Sequence, residues 1–155
     1  MAALLTRVEI MVAIAVLLAL AIWAGRGLVR SRQARALAVT APAELLASGG
    51  HAGNAVRILV FRSDDCTQCH TLQAPAIEKV LATRGAEVAV LEVDAPTSPE
   101  LTHLYGILTL PSTIVLDATG RTRAANFGFA SATKLLAQVD AVLAGDERVT
   151  TATVA

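Results

Sequence analysis

The stretch FRSDDCTQCHTL, residues 61–72, holds the chain's two cysteines, Cys66 and Cys69, with His70 directly after them. This spacing serves three chemistries: thiol–disulfide exchange, metal binding, and covalent haem attachment when a histidine follows. A structural zinc site needs four ligands. Beyond the cysteines the chain offers only His51, His70 and His103, and neither a second Cys-x-x-Cys nor a His-x-x-x-His. Haem attachment calls for a mostly helical surround with an axial ligand elsewhere, whereas this motif joins a strand-like run to a helix-like one. The polar neighbours Asp64, Asp65, Thr67 and Gln68 disfavour a pair of inert buried thiols. Redox exchange suits the context. At a helix N-terminus the unpaired amides and the positive dipole end stabilise a thiolate. Cys66 is then the exposed nucleophile, and Cys69, one turn deeper, resolves by closing a disulfide onto it. That reaction needs no cofactor and no metal.

The flanking sequence supplies elements to hold the pair. AVRILVF, residues 55–61, is a short β-branched run and reads as a buried strand. A helix over 69–85 follows, with Leu72, Ile77, Val80 and Leu81 at helical spacing and Pro75 inside it as a kink. Residues 86–94 read as a second strand, and 98–106 as a short helix opened by Ser98-Pro99. Residues 112–128 read as strand, turn at Asp117–Gly120, and strand. The last helix, 131–145, is amphipathic and ends at Gly145. Such an order predicts an α/β fold with a mixed sheet flanked by helices on both faces. Cys66 falls where a strand ends and a helix begins, the place where open α/β sheets put their sites.

With the cysteines, the strand ILVF, EVD at 92–94, LYGILTLPST at 104–113, LDATGR at 116–121 and Phe127-Gly128 resemble a thioredoxin domain over about residues 55–144. With its apolar N-terminal run the chain resembles membrane-anchored bacterial thioredoxin-like proteins. The resemblance implies a thiol–disulfide oxidoreductase acting on protein disulfides or dithiols, recharged by a separate redox partner and working as a monomer. It places Pro111 where the family has its cis-proline facing the cysteines. Pro111, with Leu110 before it, then binds the substrate strand by backbone pairing. The sequence also departs from the family. Asp65 stands where an aromatic residue is usual, Thr67-Gln68 replaces Gly-Pro, and the helix proline comes one residue late. Val60 and Val90 occupy the positions of a buried acid and a lysine. Asp65 and His70 are candidate modulators: Asp64 and Asp65 as helix caps or as charges opposing the thiolate, His70 as an imidazolium steadying it. A tethered binding or chaperone module, and an extracytoplasmic electron carrier or metallochaperone serving cytochrome maturation or copper delivery, are the alternatives.

The composition is skewed at one end. No charge lies between Glu9 and Arg26, and Ile10–Gly25 is continuously apolar. With its flanks this run approaches the roughly 20 residues that span a hydrocarbon core, and Trp23 would sit near an interface. A cleaved signal peptide is the alternative, with Ala19-Leu20-Ala21 as a small-x-small site. Four arginines (26, 30, 32, 35) follow the run and one (Arg7) precedes it. The bias predicts a single-pass cell-membrane protein with its soluble part on the cytoplasmic side, the extracytoplasmic side being the alternative. Beyond that segment, 12 acidic residues outnumber 8 basic ones, which excludes a nucleic-acid footprint. The expected organisation is an anchor at 8–28, a juxtamembrane segment and linker at 29–54, the thioredoxin-like domain at 55–145, and a tail at 146–155.

Overall fold

The computed structural model describes residues 2–43, 45 and 55–145. Residues 44 and 46–54 of the expected linker, and the tail at 146–155, lie outside them. The chain divides into two compact units, Met1–Arg32 and Gln33–Ala155.

The first unit belongs to helix α1, Ala2–Leu37. Every described side chain from Met11 to Ser31 is exposed, although most are aliphatic. One helix in the described residues is thus long and apolar enough to cross a membrane, a test that a signal sequence also passes.

The second unit is a four-stranded sheet with helices on both faces. Strands β1 (Val56–Arg62), β2 (Val88–Asp94), β3 (Ser112–Asp117) and β4 (Thr122–Phe127) lie in the order β2-β1-β3-β4. The β1–β2 pair is parallel, and β1–β3 and β3–β4 are antiparallel. The helices are α2 (Ala74–Arg84), α3 (Pro99–Leu104) and α4 (Ala132–Leu143). Alternation along the central strand sorts its side chains between two cores. Val56, Ile58 and Val60 pack with Ile77 and Val80 of α2 and with Leu135 and Val139 of α4. Leu59 and Phe61 point the other way, to Ala36, Ala41, Tyr105 and Ile107. Phe61 and Tyr105 meet edge to face, ring centroids 5.9 Å apart, the orientation that aromatic quadrupoles favour.

The second unit starts well before Ala55. Thr40 bridges Arg121, the Ala41 amide donates to the Gly120 carbonyl, and the Thr122 amide and hydroxyl both donate to the Val39 carbonyl. A run read from sequence as linker thereby satisfies the start of β4, an edge strand. The expected turn forms: Asp117 Oδ1 accepts from the Thr119 and Arg121 amides, and Gly120 adopts φ 82°. This is an Asx turn closed by the residue type that takes positive φ without strain.

Candidate functional site

Strand β1 is continuously buried from Val56 to Phe61 and emerges at Arg62. Four residues on, Cys66 opens a helical run. Thr67 and Gln68 begin it, Cys69–Gln73 forms a π-helix, and α2 continues. Pro75, in the first turn of α2, has no amide to donate. One residue earlier, the Ala74 amide reaches back five residues to the Cys69 carbonyl. The expected kink is therefore a π turn joined to a proline, a combination that widens the helix beside the cysteines.

Cys66 and Cys69 are joined as a disulfide, with their Cα atoms 5.2 Å apart. Cys66 is partly exposed and Cys69 is 5% exposed. The Cys69 amide donates both to the Cys66 carbonyl, at 3.0 Å, and to its Sγ, at 3.2 Å. Cys66 is thus its own helix's N-cap, its sulfur taking the third amide as a serine or aspartate oxygen would. Neither carboxylate expected as a cap fills that place. Asp64 pairs with Arg62 at 3.2 Å, and Asp65 is exposed. His70 is exposed, and its Nε2 lies 3.1 Å from the Asp64 carbonyl. Since that oxygen only accepts, Nε2 carries the proton, and the ring ties the helix back to the loop before it.

Leu110 and Pro111 reach this pole through strand register. Phe61 pairs with Ser112 as the last step of the β1–β3 ladder, so Pro111 precedes β3 at the end of β1 that leads to Cys66. The Leu110–Pro111 bond is cis, as the resemblance implied. Among the described residues no backbone partner takes the Leu110 N–H or C=O. Ser112 also pairs with Phe127, so Gly128 (φ 93°) leaves β4 at the same end of the sheet. Three apolar side chains on these segments stand exposed: Leu72 at 46%, Leu108 at 69% and Phe129 at 46%.

Several contributors escaped the sequence reading. Arg62 is held by Glu92 at 2.5 Å as well as by Asp64. The Glu92 hydrogen bond, then its charge, raise the guanidinium pKa above its ordinary value. Gln73 is fully buried and exchanges two hydrogen bonds with the main chain of Ala130. Asn126 and Gln138 form a buried reciprocal amide pair, with Asn126 also donating to Thr113. Nothing in one-dimensional spacing announces these; a glutamine between Leu72 and Ala74 reads as surface. Val60, at the position that the resemblance gives to a buried acid, is buried and apolar, and Val90 packs against the same core. Among the described residues no group of three or more His, Cys, Asp or Glu side chains is placed to hold a metal ion.

Solved structures share this architecture. Thioredoxin-2, described as a component of the malaria parasite protein secretion machinery, is 25% identical, with a TM-score of 0.52 over 56% of this chain and 82% of that one. Chloroplastic thioredoxin z is 24% identical, with a TM-score of 0.53 over 65% and 86%. A variant thioredoxin from Halobacterium salinarum is 21% identical, with a TM-score of 0.55 over 67% and 87%. No family model matches the chain, and no curated protein matches it. The fold is that of thioredoxin, and its cysteine pair sits at disulfide distance.

Proposed function

We propose that the protein is a membrane-tethered thiol–disulfide oxidoreductase that exchanges disulfides with protein substrates. The observation that carries this reading is the disulfide between a partly exposed Cys66 and a buried Cys69 at a helix N-terminus. The geometry supports a defined sequence of steps. With the pair reduced, the Cys66 thiolate attacks one sulfur of a substrate disulfide. A mixed disulfide forms and the substrate's other sulfur leaves as a thiolate, which takes a proton. Cys69, deprotonated, then attacks the Cys66 sulfur; the second substrate thiolate leaves and the internal disulfide closes. Two electrons have passed to the substrate, and a dithiol partner must return them.

Placement favours Cys66 as the attacking group. A thiolate there is nearest the helix's unpaired amides and the positive dipole end, which lower a thiol pKa. Leu110, with its free backbone groups beside Pro111, offers one rung of strand pairing to the substrate segment. The exposed, aliphatic α1 supports the tether, because so much apolar surface in water would be an association hazard. The arginine excess after the apolar run supports a cytoplasmic soluble unit.

The test is turnover of the detergent-solubilised full chain. With dithiothreitol as electron source it should reduce a disulfide-bonded protein, and Cys66→Ser should abolish this. No reduction by the unaltered chain would overturn the reading in favour of a binding module. Equilibration with glutathione buffers assigns direction: a potential near about −270 mV makes it a reductant, near about −120 mV an oxidant.

A further inference from the structure

In the π turn, Cys69 and Gln73 are buried while His70, Thr71 and Leu72 between them are exposed. The turn therefore meets the domain through its two end residues. Gln73 is the better anchored. Its Nε2 donates to the Ala130 carbonyl at 3.2 Å and its Oε1 accepts the Ala130 amide at 3.0 Å. Both bonds are inside the protein, where Gln73 and Ala130 are each 0% exposed. They span 57 residues of sequence and join the cysteine turn to the loop between β4 and α4. A π turn is a poorly stabilised piece of helix, and Pro75 leaves it one amide short. The Gln73 clamp replaces by a tertiary contact the order that the local backbone lacks.

We infer that Gln73 is a positioning residue for the resolving step: it fixes the turn that carries Cys69, so that opening and closing the disulfide moves Cys66 against a stationary Cys69. The inference rests on the exchange reaction proposed above. Ring closure onto Cys66 is an intramolecular attack, whose rate depends steeply on how closely the reacting atom is held to its line of approach. Attack by Cys66 on the substrate draws on the turn only through the Cys69 amide that faces its sulfur, and not on where the Cys69 sulfur is held. Of the two steps, the clamp thus acts chiefly on the resolving one.

Single-turnover stopped flow on the full chain in detergent separates them. Gln73→Met keeps the volume and removes both bonds. Decay of the mixed disulfide should slow by about tenfold or more, while its formation slows much less. Gln73→Glu, which retains an acceptor for the Ala130 amide, should fall between that variant and the unaltered chain. In the unaltered chain, the Ala130 amide should be protected from hydrogen exchange equally in the oxidised and reduced forms. Unchanged decay in Gln73→Met, equal slowing of both steps, or loss of Ala130 protection on reduction each overturns the inference. If the unaltered chain forms no mixed disulfide at all, the exchange reaction fails instead, and the two failures are distinguishable.

Discussion

The backbone amide of Cys69 donates a hydrogen bond to the sulfur of Cys66 across 3.2 Å. Once the pair is reduced, the same amide faces the sulfur on which negative charge would develop, and the relation is not reciprocal. A sulfur accepting an amide at a helix N-terminus becomes the better leaving group and the more acidic thiol. The asymmetry predicts that Cys69→Ser accumulates mixed disulfides with cellular proteins while Cys66→Ser accumulates none. Non-reducing gels of the two variants read this out. Equal trapping, or faster alkylation of Cys69 than of Cys66, would refute the assignment.

The lack of an acid at position 60 has a kinetic consequence. Val60 is 6% exposed and packs among Ile77 and Val80, so no carboxylate from that position takes the Cys69 proton. A thiol in apolar surroundings has a raised pKa, each unit costing about 1.4 kcal/mol of thiolate at neutral pH. Decay of the mixed disulfide should therefore limit turnover near pH 7 and accelerate towards about pH 9, past the ordinary thiol pKa. Val60→Asp should speed decay while lowering stability by about 1–3 kcal/mol or more. A flat profile across that range argues for another proton acceptor.

Asp117 gives the fold an acid-sensitive corner. Burial acts to raise its pKa, but hydrogen bonds from the Thr119 hydroxyl and from the Arg121 and Thr119 amides outweigh it and hold the carboxyl below its ordinary value. A carboxyl with a depressed folded pKa contributes stability that is present above its unfolded pKa and lost as pH falls through the folded one. Asp117→Asn should cost about 1 kcal/mol near neutrality. The gap from the unaltered chain should close as pH drops below about 4. Denaturant midpoints at a series of pH values measure it.

Asn126 and Gln138 satisfy each other's amides inside the core, at 2.9 and 3.0 Å. Gln138→Leu leaves a buried carbonyl and one N–H of Asn126 without partners and should destabilise by about 2 kcal/mol or more. Replacing both residues by leucine removes the orphaned groups and should recover part of the loss. A double variant as unstable as the sum of the singles would count against a coupled pair.

Orientation is open to labelling in intact cells. A membrane-impermeant maleimide should leave reduced Cys66 unmodified until lysis, since four arginines follow the apolar run and one precedes it. Modification before lysis would place the soluble unit outside, where an oxidising pathway or a dedicated electron donor would set its redox state.

Much of this protein is legible in one dimension because its signals are local. Period-2 and period-3.6 patterns, the Asp117–Gly120 turn, Gly145 closing α4 and the apolar run of α1 depend on residues within a few positions of each other, and each appears where expected. The cysteine spacing belongs to the same class, since a separation of three residues along a helix sets the reach of one sulfur to the other. What required the tertiary structure is every relation across distant segments. Strand register decides that Leu110 and Pro111 arrive beside the end of β1, and packing decides that Val39–Ala41 closes the edge of β4. Cys66 takes the cap that one of the two readings of Asp64 and Asp65 gave to them, because the chain turns at Asp64–Asp65 before the helix begins. Gln73 becomes an interior clamp because Ala130, 57 residues on, brings it a donor and an acceptor together. A polar side chain is driven to the surface by its own chemistry, and only a partner supplied by folding reverses that preference.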